Sequence, residues 1–156
     1  MQSLFYFLDD YPIMLLVWAH VSIAGGLYRA FDRSTDIWAT TLQIFAKSPR
    51  GRSIPDYSAQ MLSQASLARK SNAQQWWIIH SNYLANLSKD LLDCEADIKS
   101  IIHDFDIAHQ TWFDAVNVHI GKLKGFPSRD VAFDNMAKNV EFILRHNAKR
   151  WFTAQY

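Results

Sequence analysis

Three polar residues, each one helical turn from the next, are the best candidates for chemistry in this chain. His103, Asp106 and His109 would place two imidazoles and a carboxylate on one face of a helix. Both groups are common metal ligands. The Glu-x-x-His pairs of di-iron bundles and the His-Glu-x-x-His motif of zinc proteases are absent from the sequence. A metal-binding helical enzyme or sensor is therefore one alternative, a polar helix face is the other, and no metal or cofactor is assigned.

The remaining histidines and the single cysteine offer weaker candidates. His80 and Cys94 would lie about 21 Å apart along one helix, too far to share a metal within one chain. His20, His80 and His109 are each conceivable haem ligands, but the Cys-x-x-Cys-His attachment motif is missing. Cys94 lies between Asp93 and Glu95, which disfavours a reactive thiolate. No nucleophile motif or phosphate-binding loop occurs, so the sequence predicts a protein without catalytic residues.

Apolar residues at alternating spacings of three and four run from Trp77 to Trp112. No Pro or Gly occurs between Asp56 and Ile120. This pattern predicts a long helix with a continuous apolar seam that packs against other helices as in a coiled coil. The predicted interaction residues are the first seven members of the seam: Trp77, His80, Leu84, Leu87, Leu91, Cys94 and Ile98.

The few breakers divide the chain into helical segments. Pro12 suits the first turn of a helix that runs to about Ala46. Lys47 to Pro55 is rich in Pro, Gly and Ser and predicts a loop. A second loop covers Gly125 to Asp130, with Ser128 as the N-cap of a last helix. The predicted fold is all-α, an elongated antiparallel helical bundle of three long helices, or four if the central helix breaks near Ser71, in a single domain over 1–156.

Composition limits the class of protein and its compartment. A hydrophobic fraction of 49% in 156 residues excludes disorder. The formal net charge of +1 does not favour nucleic acid as a partner, although a basic face near Trp151 and Phe152 is an alternative. One cysteine cannot form an internal disulfide, so a cytoplasmic location is expected.

The segment from Tyr11 to Tyr28 carries no formal charge and is about the minimum length of a membrane span. His20 interrupts it, and a buried core helix is the favoured interpretation. The alternative is contact with a membrane or lipid surface through residues near Phe5 to Tyr28. In composition alone the chain resembles phasins, the helical proteins of polyester storage granules. That resemblance implies an amphipathic surface-coating protein.

The surplus of apolar surface decides between these functional hypotheses. A small chain with two apolar faces on its central helix predicts a non-enzymatic helical-bundle protein. It would mediate protein–protein interaction or self-assembly as a homo-oligomer, with an unidentified partner.

Overall fold

A four-stranded parallel β-sheet forms the centre of the computed structural model. Its strands are β3 (Trp18–His20), β4 (Thr41–Ile44), β5 (Trp76–His80) and β6 (Ala115–Asn117), and they lie side by side in chain order. A separate antiparallel hairpin joins β1 (Tyr6–Leu8) to β2 (Tyr11–Ile13). The structure describes residues 6–8, 11–13, 16–72, 76–123 and 125–153, and of 6–8, 11–13 and 149–153 only the backbone.

Helices alternate with the strands of the sheet. α1 (Arg29–Asp36) follows β3, α2 (Ala59–Ser71) follows β4, α3 (Glu95–Thr111) follows β5, and α4 (Arg129–Thr153) follows β6. Parallel neighbours need such crossovers because each strand must start again at the same end of the sheet. The prediction of an all-α, elongated antiparallel bundle with a coiled-coil seam is therefore wrong, and the fold is α/β.

The central error concerns the residues just after Asn72. The run from Trp76 to His80 is aromatic and β-branched, and such residues favour a strand. Trp77 and Ile79 are fully buried, while Ile78 points to the opposite face of the sheet. Strands in parallel sheets read as short continuous apolar runs because both faces are covered. Here the spacing of three and four crosses a strand, a loop and a helix by coincidence.

The absence of Gly and Pro after Asp56 also misled, because the left-handed residue at the end of α3 is a tryptophan. α3 ends at Trp112, whose φ of 60° is left-handed, and Trp38 just after α1 has a φ of 58°. Two smaller predictions are confirmed. The region from Lys47 to Pro55 contains no helix or strand, and the Ser128 hydroxyl accepts from the Val131 amide at 3.2 Å. The sequence left a break near Ser71 open; α2 ends there, but the next element is a strand and not a helix.

Two apolar clusters hold the elements together, and α3 belongs to both. In the first cluster one face of the sheet packs against α1, α2 and α3, with Phe31 and Trp77 ring centres 4.1 Å apart. In the second, α3 packs against α4 through Ile101, Met136 and Ile143. Each fully buried large apolar side chain contributes about 1.5–3 kcal/mol to folding. α3 is thus fixed on both sides, and it supports the strands beside it.

The uncharged segment from Tyr11 to Tyr28 does not form the predicted helix. It contains strands β2 and β3 followed by a turn before α1. Phe5, Met14 and Leu15 lie outside the described residues. Within the part of the chain that the structure covers, no helix is long and apolar enough to cross a membrane. The single domain over 1–156 stays a prediction.

Candidate metal centre

Three histidines lie at the carboxyl ends of the parallel strands. His20 is the last residue of β3, His80 is the last residue of β5, and His119 follows β6 closely. The ring centres of His80 and His119 are 5.0 Å apart, and those of His20 and His80 are 6.1 Å apart. This edge of an α/β sheet is where ligands generally bind, because the loops that follow the strands meet there.

The separation of His80 and His119 fits two imidazoles on one metal ion. With metal–nitrogen bonds of about 2.1 Å and a tetrahedral angle, two such ring centres lie about 5 Å apart. His20 is too far from His80 for this tetrahedral arrangement. Among the residues that the structure describes, no three His, Cys, Asp or Glu side chains are grouped closely enough to hold a metal. The chain therefore offers a pair of ligands, and a complete centre needs further donors.

The hydrogen bond of His80 prepares its ring for a metal. Its Nδ1 lies 2.6 Å from the Ser81 carbonyl oxygen, which can only accept, so Nδ1 carries the proton. The lone pair of the neutral ring is then on Nε2. Metal-binding histidines generally donate their second ring nitrogen in this way, which fixes tautomer and orientation.

An aromatic rim surrounds the histidines. The Tyr83 ring centre lies 5.4 Å from His80 and 5.3 Å from His119, and Tyr83 is 52% exposed. Phe45 lies 4.4 Å from His20 on the other side. Burial, and secondarily the neighbouring His80, lowers the pKa of His20, which keeps that ring neutral near pH 7. The rim thus offers flat apolar surface beside the three histidines.

A cavity of about 400 Å³ adjoins Tyr83 and His119 and carries an excess of positive charge. Arg52, Lys89 and Lys122 line it. The buried Asp97 carboxylate accepts from Arg52 at 2.8 Å and from Lys89 at 3.0 Å, so one acid faces three cations. Such a surface attracts anions, phosphate groups among them.

The side chain of Asn86 joins the two loops that form this cavity. Asn86 Oδ1 accepts from the Ser88 hydroxyl at 2.6 Å and from the Lys122 amide at 3.0 Å. Gly121 passes directly beside it with a φ of +131°, and a side chain there would meet Asn86 Oδ1 and the Leu87 backbone. The loop after β5 and the loop after β6 are therefore locked to each other beside His119.

The three residues of the metal-binding alternative, His103, Asp106 and His109, all lie on α3. His103 lies on α3, where its Nε2 donates to the Pro55 carbonyl oxygen at 3.1 Å. Burial, and then the charge of Lys47, lowers the pKa of His103. Asp106 and His109 lie on the same helix, and within the described ranges these three do not form a metal-sized group. Burial raises the pKa of the Cys94 thiol, in agreement with the expectation of an unreactive cysteine.

The seven predicted interaction residues are distributed over three kinds of structure. Trp77 and His80 belong to β5, while the last two, Cys94 and Ile98, lie at the start of α3. Leu84, Leu87 and Leu91 lie in the segment between them. Most of the seven are buried within the chain, whereas Leu84 and Leu91 are exposed. Contact between any of them and a protein partner stays a prediction.

The sequence offers His20 as a haem ligand and His80 as a haem ligand, a partner for Cys94 or a seam residue, and it gives His119 no role. A signal was present, since each histidine follows a short, mainly apolar run: Leu15 to Ala19, Trp76 to Ile79, and Ala115 to Val118, which Asn117 interrupts. Reading these runs as parallel strands would have placed the three imidazoles at one edge. The predicted basic face near Trp151 and Phe152 involves side chains outside the described set.

Fold and geometry together define a β/α-repeat protein whose candidate site lies at the carboxyl edge of its sheet. In sequence, the chain is similar to two proteins named "Probable endonuclease 4". The one from Halothermothrix orenii is 44% identical over 108 residues, covering 68% of this chain and 38% of the relative. The one from Halobacterium salinarum is 34% identical over 126 residues, covering 80% and 46%.

Solved structures show the same relationship. The crystal structure of endonuclease IV from Thermus thermophilus matches with a TM-score of 0.69 and 27% identity, covering 83% of this chain and 47% of that one. A xylose isomerase domain protein from Planctomyces limnophilus shares the fold, with a TM-score of 0.57, 16% identity and coverage of 86% and 50%. No protein-family model matches the chain. The chain spans about half the length of the relatives it matches, or less.

These findings contradict the functional predictions made from the sequence. A non-enzymatic interaction protein and a phasin-like coat protein both presuppose a helical bundle, which the fold excludes. The relatives are named as endonucleases, which are enzymes that cleave nucleic acid. The expectations of a non-enzyme and of a chain for which nucleic acid is not favoured are therefore wrong.

Proposed function

We propose that this chain carries part of the active site of a metal-dependent endonuclease that hydrolyses phosphodiester bonds in DNA. The observation that carries the proposal is the His80–His119 pair, whose ring separation of 5.0 Å fits a shared divalent cation at the ligand-binding edge of the sheet. Similarity to proteins named as endonucleases supports it.

A divalent cation would supply Lewis-acid polarisation of a phosphoryl oxygen and activation of water. His80 and His119 would hold it through neutral ring nitrogens. The Ser81 carbonyl keeps the proton of His80 on Nδ1, so that Nε2 can bind without first losing a proton. Zinc suits imidazole ligands and hydrolytic chemistry, and we take Zn²⁺ as the probe.

The surface beside the histidines fits a nucleic acid. Tyr83 and Leu84 are exposed next to the cluster, where a base can stack on the tyrosine ring. Arg52, Lys89 and Lys122 line the adjoining cavity, where phosphates of the same strand can be bound. A backbone held on these cations would bring a phosphodiester toward His119.

The proposed site of action is the cytoplasm. Cys94 is buried and free, so the described residues contain no disulfide that would require an oxidising compartment. We also propose that the sheet and its helices form one domain, since α3 is packed against both clusters.

Zinc titration of the full chain tests the metal pair. We expect addition of Zn²⁺ to shift the imidazole NMR signals of His80 and His119. His80→Ala and His119→Ala should each weaken binding at least tenfold, because removal of one of two ligands leaves a single imidazole. His109→Ala is the matched control, since that histidine lies on α3 away from the pair, and its affinity should equal the wild type. Loss of binding in His109→Ala alone would instead support the α3 cluster and overturn this proposal.

Nucleic-acid binding and cleavage are measured separately. Fluorescence anisotropy should show binding to a DNA duplex that falls severalfold in Tyr83→Ala, with Zn²⁺ affinity unchanged. Conversion of supercoiled plasmid, intact or depurinated, to nicked circles should require Zn²⁺ and His119. A chain that binds neither DNA nor Zn²⁺ would refute the proposal, and a preference for an RNA duplex would refute the choice of DNA.

A further inference from the structure

A fully buried ion pair lies behind the histidine edge. The Lys47 ammonium group, just after β4, contacts the Asp104 carboxylate on α3, and the two side chains are 1% and 0% exposed. Lys47 also donates to the Ser100 carbonyl oxygen at 2.8 Å. Burying two charges is costly unless their remaining hydrogen-bonding capacity is satisfied. The second carboxylate oxygen of Asp104 therefore needs a partner of its own.

That partner is Ser81, the residue next to His80. The Ser81 hydroxyl donates to Asp104 Oδ2 at 2.8 Å, and the Ser81 amide donates to the Asn117 carbonyl oxygen at 2.9 Å. Ser81 is fully buried and is thus fixed from two sides, by α3 through its side chain and by β6 through its backbone. Its carbonyl oxygen then has a defined direction, and this is the oxygen that accepts from His80 Nδ1 at 2.6 Å.

We propose that Asp104, held by Lys47, is a positioning residue that acts through Ser81 to set the tautomer and orientation of His80. The inference rests on the proposed function in one respect, namely that His80 Nε2 is a metal ligand. A network of this kind is the outer layer that orients a metal-binding histidine. If the ion pair served only to join α3 to the sheet, removal of the Ser81 hydroxyl would not change the tautomer of His80.

The tautomer of His80 in the metal-free full chain is the direct readout. Long-range ¹H–¹⁵N NMR distinguishes a proton on Nδ1 from one on Nε2, and we expect only the Nδ1–H form in the wild type. In Ser81→Ala the carbonyl stays but its anchor to Asp104 is lost. We expect a mixture of the two tautomers and about tenfold weaker Zn²⁺ binding, the lower end of the range for outer-layer substitutions.

A second variant separates positioning from stability. Lys47→Met combined with Asp104→Leu removes both charges together, a replacement that is often neutral or stabilising for folding. It also removes the acceptor of the Ser81 hydroxyl, so it should give the same mixture of tautomers as Ser81→Ala. Ser34→Ala is the matched control, because Ser34 is equally buried and its hydroxyl donates within α1 to Phe31 at 2.9 Å. Its tautomer and Zn²⁺ affinity should equal those of the wild type.

The outcomes divide cleanly. A pure Nδ1–H tautomer in both Ser81→Ala and the double variant would overturn the positioning role, whatever their stability. If one variant does not fold, the other decides. If the wild type binds no Zn²⁺ while the variants still shift the tautomer, the positioning of His80 stands and the proposed metal chemistry fails.

Discussion

The side chains at the carboxyl edge of the sheet differ in how firmly hydrogen bonds fix them. His80 donates to a carbonyl fixed by two further hydrogen bonds, whereas His119 lies on an exposed loop. Tyr83 is packed against both rings yet remains half exposed. The candidate site thus combines one rigidly held histidine with more accessible groups around it, which would suit the proposed function, since a metal ligand must keep its geometry while a large substrate is admitted.

We expect the free energy of unfolding to fall in acid because of His103. Its folded pKa is lowered, mainly by burial, so below the ordinary value of about 6.5 the unfolded chain binds a proton that the folded chain resists. The stability contribution is present above pH 6.5 and is lost as the pH falls below it. Urea unfolding at pH 7 and pH 5 should show a smaller difference for His103→Gln than for the wild type. Equal differences in the two proteins would contradict the assignment.

A substitution at Gly121, beside the cavity, should destabilise the protein. In Gly121→Ala a methyl group would meet the Asn86 amide oxygen and the Leu87 backbone, at a φ that only glycine adopts easily. We expect destabilisation of about 1–3 kcal/mol, the range for strained left-handed backbone, measured by urea unfolding. Gly125→Ala is the control, since its methyl group would meet nothing within 4 Å although its φ is also positive. A loss no larger than that of the control would show that the loops adapt.

Secondary structure elements were predictable where a local signal decides them. The prediction that Ser128 caps the last helix and the prediction of a Pro- and Gly-containing loop after Ala46 are both correct. Side-chain capping and backbone restriction act within a few residues, so the local sequence is enough to predict them. β3 and β6 have three residues each, too few to show any period. β5 was misread because the helix after it continues an apolar spacing by chance. The pairing of strands depends on segments that are far apart in the sequence. The position of the histidines depends on the same pairing, so neither could be predicted from local signals.

We expect a substitution of Trp112, at the end of α3, to stabilise the protein. Trp112 is left-handed at a φ of 60° and 65% exposed, so its side chain gains little from packing. Trp112→Gly should stabilise the protein by about 1 kcal/mol, because a left-handed residue with a side chain costs about 1–2 kcal/mol and glycine recovers most of it. The measurement is the midpoint of urea unfolding. Trp76→Gly, in a strand and 52% exposed, should instead destabilise; a loss in both would show that Trp112 is held by packing.

For the whole molecule, a net charge of +1 means that the proposed binding of nucleic acid would depend on a local patch. Three cations line the cavity beside His119. Neutral overall composition concealed this patch from the sequence, since Arg52, Lys89 and Lys122 are brought together only by the fold.

Salt dependence measures that patch. Binding of a DNA duplex should weaken with salt at a log–log slope of about −2 to −3, as expected for up to three phosphate contacts. Lys122→Gln should make the slope about one unit shallower, while Lys138→Gln, on α4 and paired with Asp134 at 2.8 Å, should leave it unchanged. A slope steeper than about −5 would place the binding surface elsewhere on the chain.

Each later strand of the four-stranded sheet lies next to the strand that preceded it along the polypeptide. His20 and His80 are the last residues of their strands, and His119 lies two residues after β6. The three imidazoles therefore lie where the strands give way to loops, at one edge of the buried sheet. Changes confined to the exposed loops beyond the strands are therefore expected to alter the candidate site while leaving the buried cluster around Trp77 intact.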